Sequence, residues 1–158
     1  MVSGVLGETG QLLTGKSQAK RPEGGDPFDW LLPLFWAGCI FLLSTSVFSA
    51  AQTSRIIVPL LHWLMPTASH RTIVTLHAVI RKAAHVSEYA VLFLLLVRGP
   101  LRGRPVFALA ICAAYAMLDE GHQMLVPSRT PALHDVALDF SGALAASLVM
   151  AVTAPAKD

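Results

Sequence analysis

With 158 residues and a formal net charge of +2, the chain has room for one domain and too little basic excess to suit nucleic acid. Hydrophobic residues make up 54% and charged residues only 14%, against about 25% charged in an average soluble protein. So little charge cannot clothe a soluble domain of this size, and the composition predicts an all-α integral membrane protein.

Residues 1–26 are rich in Gly, Ser, Thr and Lys and lack the apolar core of a signal peptide, which predicts a disordered tail. The first apolar segment runs from Trp30 to about Ala51 without a charge. At about 20 residues it is long enough to cross roughly 30 Å of hydrocarbon. Trp30 and Phe28 suit the membrane–water interface. Between Gln52 and Ile80 the pattern breaks at Pro59 and Pro66. The run Leu60, Leu61, Trp63, Leu64, Met65 is too apolar for a free loop and too short to span, so it predicts an interfacial segment. Ser69 is placed to cap the next helix, which leads into a second span from about Ile80 to Val97.

Gly99-Pro100 and Gly103-Arg104-Pro105 make a short turn. A third span begins at Pro105 but stays apolar only to Leu118, a rise of about 21 Å. To finish crossing it must include part of Asp119-Glu120-Gly121-His122-Gln123, and buried carboxylates are costly unless partnered. The fourth span covers about Val136 to Ala154, with Asp139 a turn inside its start. Gly142 and Ala146 form a small-xxx-small pair suited to close helix approach. The expected architecture is thus a bundle of four transmembrane helices over residues 28–154, with an interfacial segment between the first and second.

Lys16, Lys20 and Arg21 in the tail, Arg98, Arg102 and Arg104 in the second turn, and Lys157 fall on one side of such a bundle. The excess of cations there predicts that both termini face the cytoplasm. Alternating connectivity also brings the start of the second span, the end of the third and the start of the fourth to one depth. Lys82, His85, Glu88, Asp119, Glu120, Gln123, Arg129, Asp135 and Asp139 would then gather at one end.

The richest stretch is Arg81-Lys82-Ala-Ala-His85-Val-Ser-Glu88-Tyr89. On a helix these five polar residues fall within roughly 120° of arc. Arg81 reads as an interfacial anchor, whereas His85 and Glu88 sit deeper and suit a functional site. His85, Asp119 and Glu120 are the candidates for acid–base chemistry, and Lys82, Glu88, Tyr89, Gln123, Arg129, Asp135 and Asp139 for binding. His62, His70 and His77 read as interfacial residues. No HExxH or CxxC spacing is present, so neither a metal nor another cofactor is expected. Cys39 and Cys112 sit in apolar runs and read as packing residues.

Arg81-Lys82-x-x-His85-x-x-Glu88-Tyr89-x-x-Leu92 resembles the first signature of the VanZ-like membrane protein family. Asp119-Glu120-x-His122-Gln123, Pro127-x-Arg129 and Asp135-x-x-x-Asp139-x-x-Gly142 resemble the second. The chain departs from that pattern at Ser128, where Gly is usual, and at Asp139, where Asn is usual. The resemblance implies a bacterial multi-pass protein of about four helices in the cytoplasmic membrane. The family takes its name from a member linked to low-level teicoplanin resistance.

Two function classes follow. In the first, the polar cluster binds an anionic lipid or glycolipid headgroup, or modulates glycopeptide susceptibility, with Lys82, His85 and Arg129 as donors. In the second, an integral-membrane enzyme modifies a lipid-linked envelope precursor, with Glu120 or His85 as general base and Asp119 orienting it. The expected partner in either case is a membrane lipid or lipid-linked precursor.

Overall fold

The computed structural model describes residues 26–45, 49–125 and 133–154, and these are helical, with no strand among them. A 3-10 turn, Pro27–Trp30, leads into α1 (Leu31–Ser44), followed by α2 (Ala50–Leu64), α3 (His70–Arg98), α4 (Pro105–Gln123) and α5 (Leu133–Thr153). The predicted tail lies almost wholly outside the described residues.

The element boundaries follow local chemistry. Asp26 accepts a hydrogen bond from the Phe28 amide at 3.2 Å and opens the first turn. The uncharged segment expected to run from Trp30 to Ala51 is instead divided. α1 stops at Ser44, where Thr45 turns extended and its hydroxyl donates to the Leu42 carbonyl at 2.6 Å. Short hydroxyl side chains compete for helix carbonyls in this way, so a run without charges still ended a helix. α2 begins at Ala50 and carries Pro59 within it, so the expected interfacial segment is longer than the proline pattern implied. Ser69 does cap α3, accepting from the Thr72 amide at 3.2 Å, and α3 then continues without a break to Arg98. α4 runs on through Asp119 to Gln123.

α3 is the hub and packs against each of the other four helices. The core joins Ile40 of α1, Tyr89, Leu92, Phe93 and Leu96 of α3, Ala108, Cys112 and Ala116 of α4, and Ala143 of α5. Small residues on α4 let its neighbours approach, and both cysteines are free thiols, Cys112 buried and Cys39 partly so. Two aromatic side chains tie α1 down. The Trp36 indole donates to the Glu88 carbonyl at 2.9 Å, and the Tyr115 phenol donates to the Ala37 carbonyl at 2.6 Å.

The closest helix approach is between α3 and α5. A Cβ placed on Gly142 would run into the backbone carbonyl of Val86, so the small-residue pair on α5 does mark a contact that only glycine allows. The bundle's outside is apolar: Phe35 is 69% exposed and Val152 85%, with Leu32, Val106, Phe107 and Val149 similarly bare. Asp119, Glu120 and Asp139 are buried meanwhile. That distribution is the reverse of a water-soluble bundle. By length and apolarity two segments suffice to cross a membrane, Pro27–Ser44 and His134–Thr153.

Gly142→Ala is expected to destabilise the protein by about 1–3 kcal/mol through overpacking. Gly38→Ala, where the added methyl meets nothing within 4 Å, should be neutral or gain up to about 1 kcal/mol from helix propensity. Thermal unfolding of both variants in one detergent checks this. Equal stability of Gly142→Ala and wild type would refute the close approach.

Candidate functional site

Parallel α3 and α5 carry the first half of the site. Lys82 Nζ lies 3.6 Å from Asp135 Oδ1. His85 Nδ1 lies 3.4 Å from Glu88 Oε2 and 3.9 Å from Asp139 Oδ1. These pairs descend both helices in step and end at the Gly142–Val86 contact. His134 adds a second contact to Asp135, at 3.2 Å.

The second half hangs on α4. Its core face runs Ala108, Cys112, Ala116 and then turns polar, placing Asp119, Glu120 and Gln123 in the interior. Asp119 Oδ2 accepts from the Ser44 hydroxyl at 2.6 Å and from the Gln123 amide at 3.0 Å. Charge-assisted hydrogen bonds of this length are the strong kind, and they offset the cost of burying the carboxylate. Among the described residues, Asp119 Oδ1 and the Tyr89 hydroxyl have no hydrogen-bond partner.

A cavity of about 420 Å³ opens between these halves. Lys82 and His85 from α3, Glu120 and Gln123 from α4, and Asp135 and Asp139 from α5 all line it. Six of the ten residues singled out from the sequence therefore line one cavity. Glu88 joins through His85 and faces a smaller slot of about 130 Å³. Asp119 and Tyr89 stand behind the wall in the core, and Arg129 lies outside the described residues.

Several partners were not foreseen. Arg81, expected to be a plain anchor, lines both cavity and slot, and its Nη1 donates to Thr53 Oγ1 at 3.1 Å. His77, grouped with the interfacial histidines, is buried, lines the cavity and meets the same hydroxyl at 3.2 Å. Its spacing of four from Arg81 and eight from His85 was a usable signal, because all three fall on one side of α3. Ser44 gave no such signal: a serine ending an apolar run is common. His62 and His70 stay apart from the cavity, with ring centroids 6.5 Å from each other.

The cavity has two kinds of wall. α3 supplies His77, Arg81, Lys82 and His85, while α4 and α5 supply Glu120, Asp135 and Asp139. Such a lining can hold opposite charges at once, or move a proton between His85 and Glu120. Among the described residues no group of three or more His, Cys, Asp or Glu is placed to hold a metal. His77 precedes the apolar part of α3, and burial, followed by the nearby Arg81 charge, lowers its pKa below the ordinary 6.5.

Ser44→Ala should cost about 1–2 kcal/mol, the upper range for a hydrogen bond inside a membrane protein. A double-mutant cycle with Asp119→Ala, which removes the acceptor, isolates the pair, and a coupling near zero would sink the assignment. For His77 the folded state disfavours the protonated ring, so its contribution is present above pH 6.5 and lost as pH falls below it. The protection of α2 and α3 amides, after correction for the slower intrinsic exchange at low pH, should therefore fall on acidification in wild type, and less so in His77→Gln.

No curated protein and no solved structure matches the chain. The VanZ/LLP1 family model does, over residues 28–154, which takes in every described helix except the first residue of the opening turn. The signature residues of α3, α4 and α5 are the ones that meet around the cavity, and the chain belongs to the VanZ/LLP1 family.

Proposed function

We propose that this VanZ-like membrane protein sits in the bacterial cytoplasmic membrane with four spans, α1, α3, α4 and α5, and with α2 at the interface. α3 and α4 fall short of simple apolarity because each carries its site residues at one end. Those residues are partnered inside the bundle, which is the condition for charge at that depth. Both termini face the cytoplasm, by the excess of arginine in the α3–α4 turn and of lysine toward the chain ends. The cavity then opens toward the outer leaflet.

The function proposed for the site is binding of a membrane lipid or glycolipid headgroup that carries negative charge. One observation carries it: a cavity of about 420 Å³, lined by Arg81, Lys82 and His85, at the end of a bundle whose outer surface is apolar. That volume lies in the usual range for small-ligand sites. It admits a headgroup and not a whole glycopeptide, so an effect on teicoplanin susceptibility would act through the composition of the envelope.

A second reading rests on Glu120 and His85 lining the same cavity. That pair is suited to general acid–base work on a lipid-linked precursor, with Asp119 held in place by Ser44 and Gln123.

Native mass spectrometry of protein purified in mild detergent separates these outcomes. Wild type should retain about one phospholipid per chain, and a Lys82→Ala/His85→Ala variant should lose roughly tenfold in affinity, or about 1.4 kcal/mol. Wild type without lipid, or equal retention by the variant, rejects the binding reading. A Glu120→Gln strain whose lipid and precursor profile departs from wild type would favour the enzyme instead.

A further inference from the structure

The cavity is divided by charge in a way that binding of a simple anion does not explain. α3 presents Arg81 and Lys82, flanked by His77 and His85, along one wall. Glu120, Asp135 and Asp139 form a second one from α4 and α5, which meets the first where Asp135 lies 3.6 Å from Lys82 and Asp139 3.9 Å from His85. A ligand with only negative charge would be held by the first wall and repelled by the second, in surroundings that screen charge poorly. A ligand with only positive charge meets the reverse problem. A headgroup with both signs, a few bonds apart, satisfies both walls.

The chemistry of the acidic wall narrows the cation. Carboxylates recognise it through N–H donors, and a primary ammonium offers three. A quaternary ammonium offers none and is held by faces of aromatic rings. Among the described residues, no Trp, Tyr or Phe lines this cavity. The Lys82–Asp135 contact, at 3.6 Å and with the Asp135 side chain 35% exposed, is longer than a tight charge-assisted hydrogen bond of about 2.7–2.9 Å. A ligand ammonium can take over Asp135 while Lys82 turns to a phosphate.

The slot supplies the rest of the amphiphile. It shares Arg81 and His85 with the cavity and continues between α1, α2 and α3 along Leu43, Ile57, Ile80 and Ala84. At about 130 Å³ it takes only the first methylenes of a chain. A headgroup leaving the cavity past Arg81 and His85 meets an apolar wall where its glycerol ends.

Building on the headgroup-binding reading, we propose that the site selects a phospholipid whose headgroup joins a phosphate to a primary amine. The phosphate lies on Arg81 and Lys82, the amine on Glu120, Asp135 and Asp139, and the chain enters the slot. Headgroup size, N–H count and tail are each recognised by a different wall.

The test exposes full-length, delipidated protein in detergent to an equimolar mixture of dioleoyl phosphatidylethanolamine, phosphatidylglycerol and phosphatidylcholine, read by native mass spectrometry. Phosphatidylethanolamine should exceed each of the others by about tenfold. Asp135→Asn, at a partly exposed position, should bring phosphatidylethanolamine and phosphatidylglycerol to parity, with thermal unfolding in the same detergent matching wild type. Soluble glycerophosphoethanolamine at the same concentration should fail to displace the lipid. Equal binding of the three lipids, or an unchanged preference in Asp135→Asn, overturns the amine assignment and leaves headgroup binding standing. Displacement by the soluble headgroup overturns the role of the slot. Binding of no lipid at all overturns both readings together.

Discussion

The site depends on the contact between Gly142 and the backbone of Val86. Helices bearing ordinary side chains at a crossing stand 8–10 Å apart, and glycine lets backbones come closer. Val86 is next to His85, and Gly142 is one turn beyond Asp139, so the closest approach lies directly beneath the ion-pair ladder. With α3 and α5 drawn together there, His85 comes within 3.9 Å of Asp139 and, farther up, Lys82 within 3.6 Å of Asp135. A methyl group at Gly142 would push these helices apart at the base of the ladder. A packing residue that touches no ligand thereby sets the width of the binding site.

The second constraint is the cost of burying charge in a bundle that turns apolar residues outward. Asp119 and Glu120 cannot be moved to the outside without facing lipid, so they need partners inside the bundle. Ser44 is one such partner, and it explains the architecture of the first two helices. The last residue of α1 is also the one whose hydroxyl donates to Asp119. α2 can then fold back over the cavity mouth, where Thr53 meets Arg81 and His77 from α3. An uninterrupted helix from Trp30 to Ala51 would have carried Thr53 away from that mouth.

Much of this arrangement is legible in the chain, because it rests on helical period and on alternating connectivity. The Ser69 cap, the proline at the start of α4, the polar end of α4 and the Gly142 contact are each local or pairwise consequences of residue type. Lys82, His85, Glu120, Gln123, Asp135 and Asp139 were expected at one depth because consecutive helices alternate in direction. What was hidden depends on three-dimensional company. Nothing about Ser44 distinguishes it from a serine facing lipid until Asp119 is beside it. Arg81 looks like an anchor until Thr53 is folded back over it. Hydropathy also misled at Ser44-Thr45, where a segment free of charge ends a helix because hydroxyls bond backbone carbonyls. The division of labour between Glu120, which lines the cavity, and its neighbour Asp119, which faces Ser44, follows from the 100° step between adjacent helical residues.

The departure at Asp139 now acquires a physical meaning. Asparagine at this position would offer the His85 ring a neutral group with both donor and acceptor ends, whereas aspartate offers acceptors only. With Glu88 at 3.4 Å and Asp139 at 3.9 Å from one ring nitrogen, two carboxylates border the same point, and positive charge is favoured there. The basic residues Arg81, Lys82 and His85 belong to the signature that the family shares, but the carboxylate of Asp139 is an addition. On the proposed reading, recognition of an anion is therefore the part of the site that the VanZ-like pattern itself would supply. The pull on a cation is strengthened in this chain by one residue, sited where the glycine contact brings α5 nearest to α3.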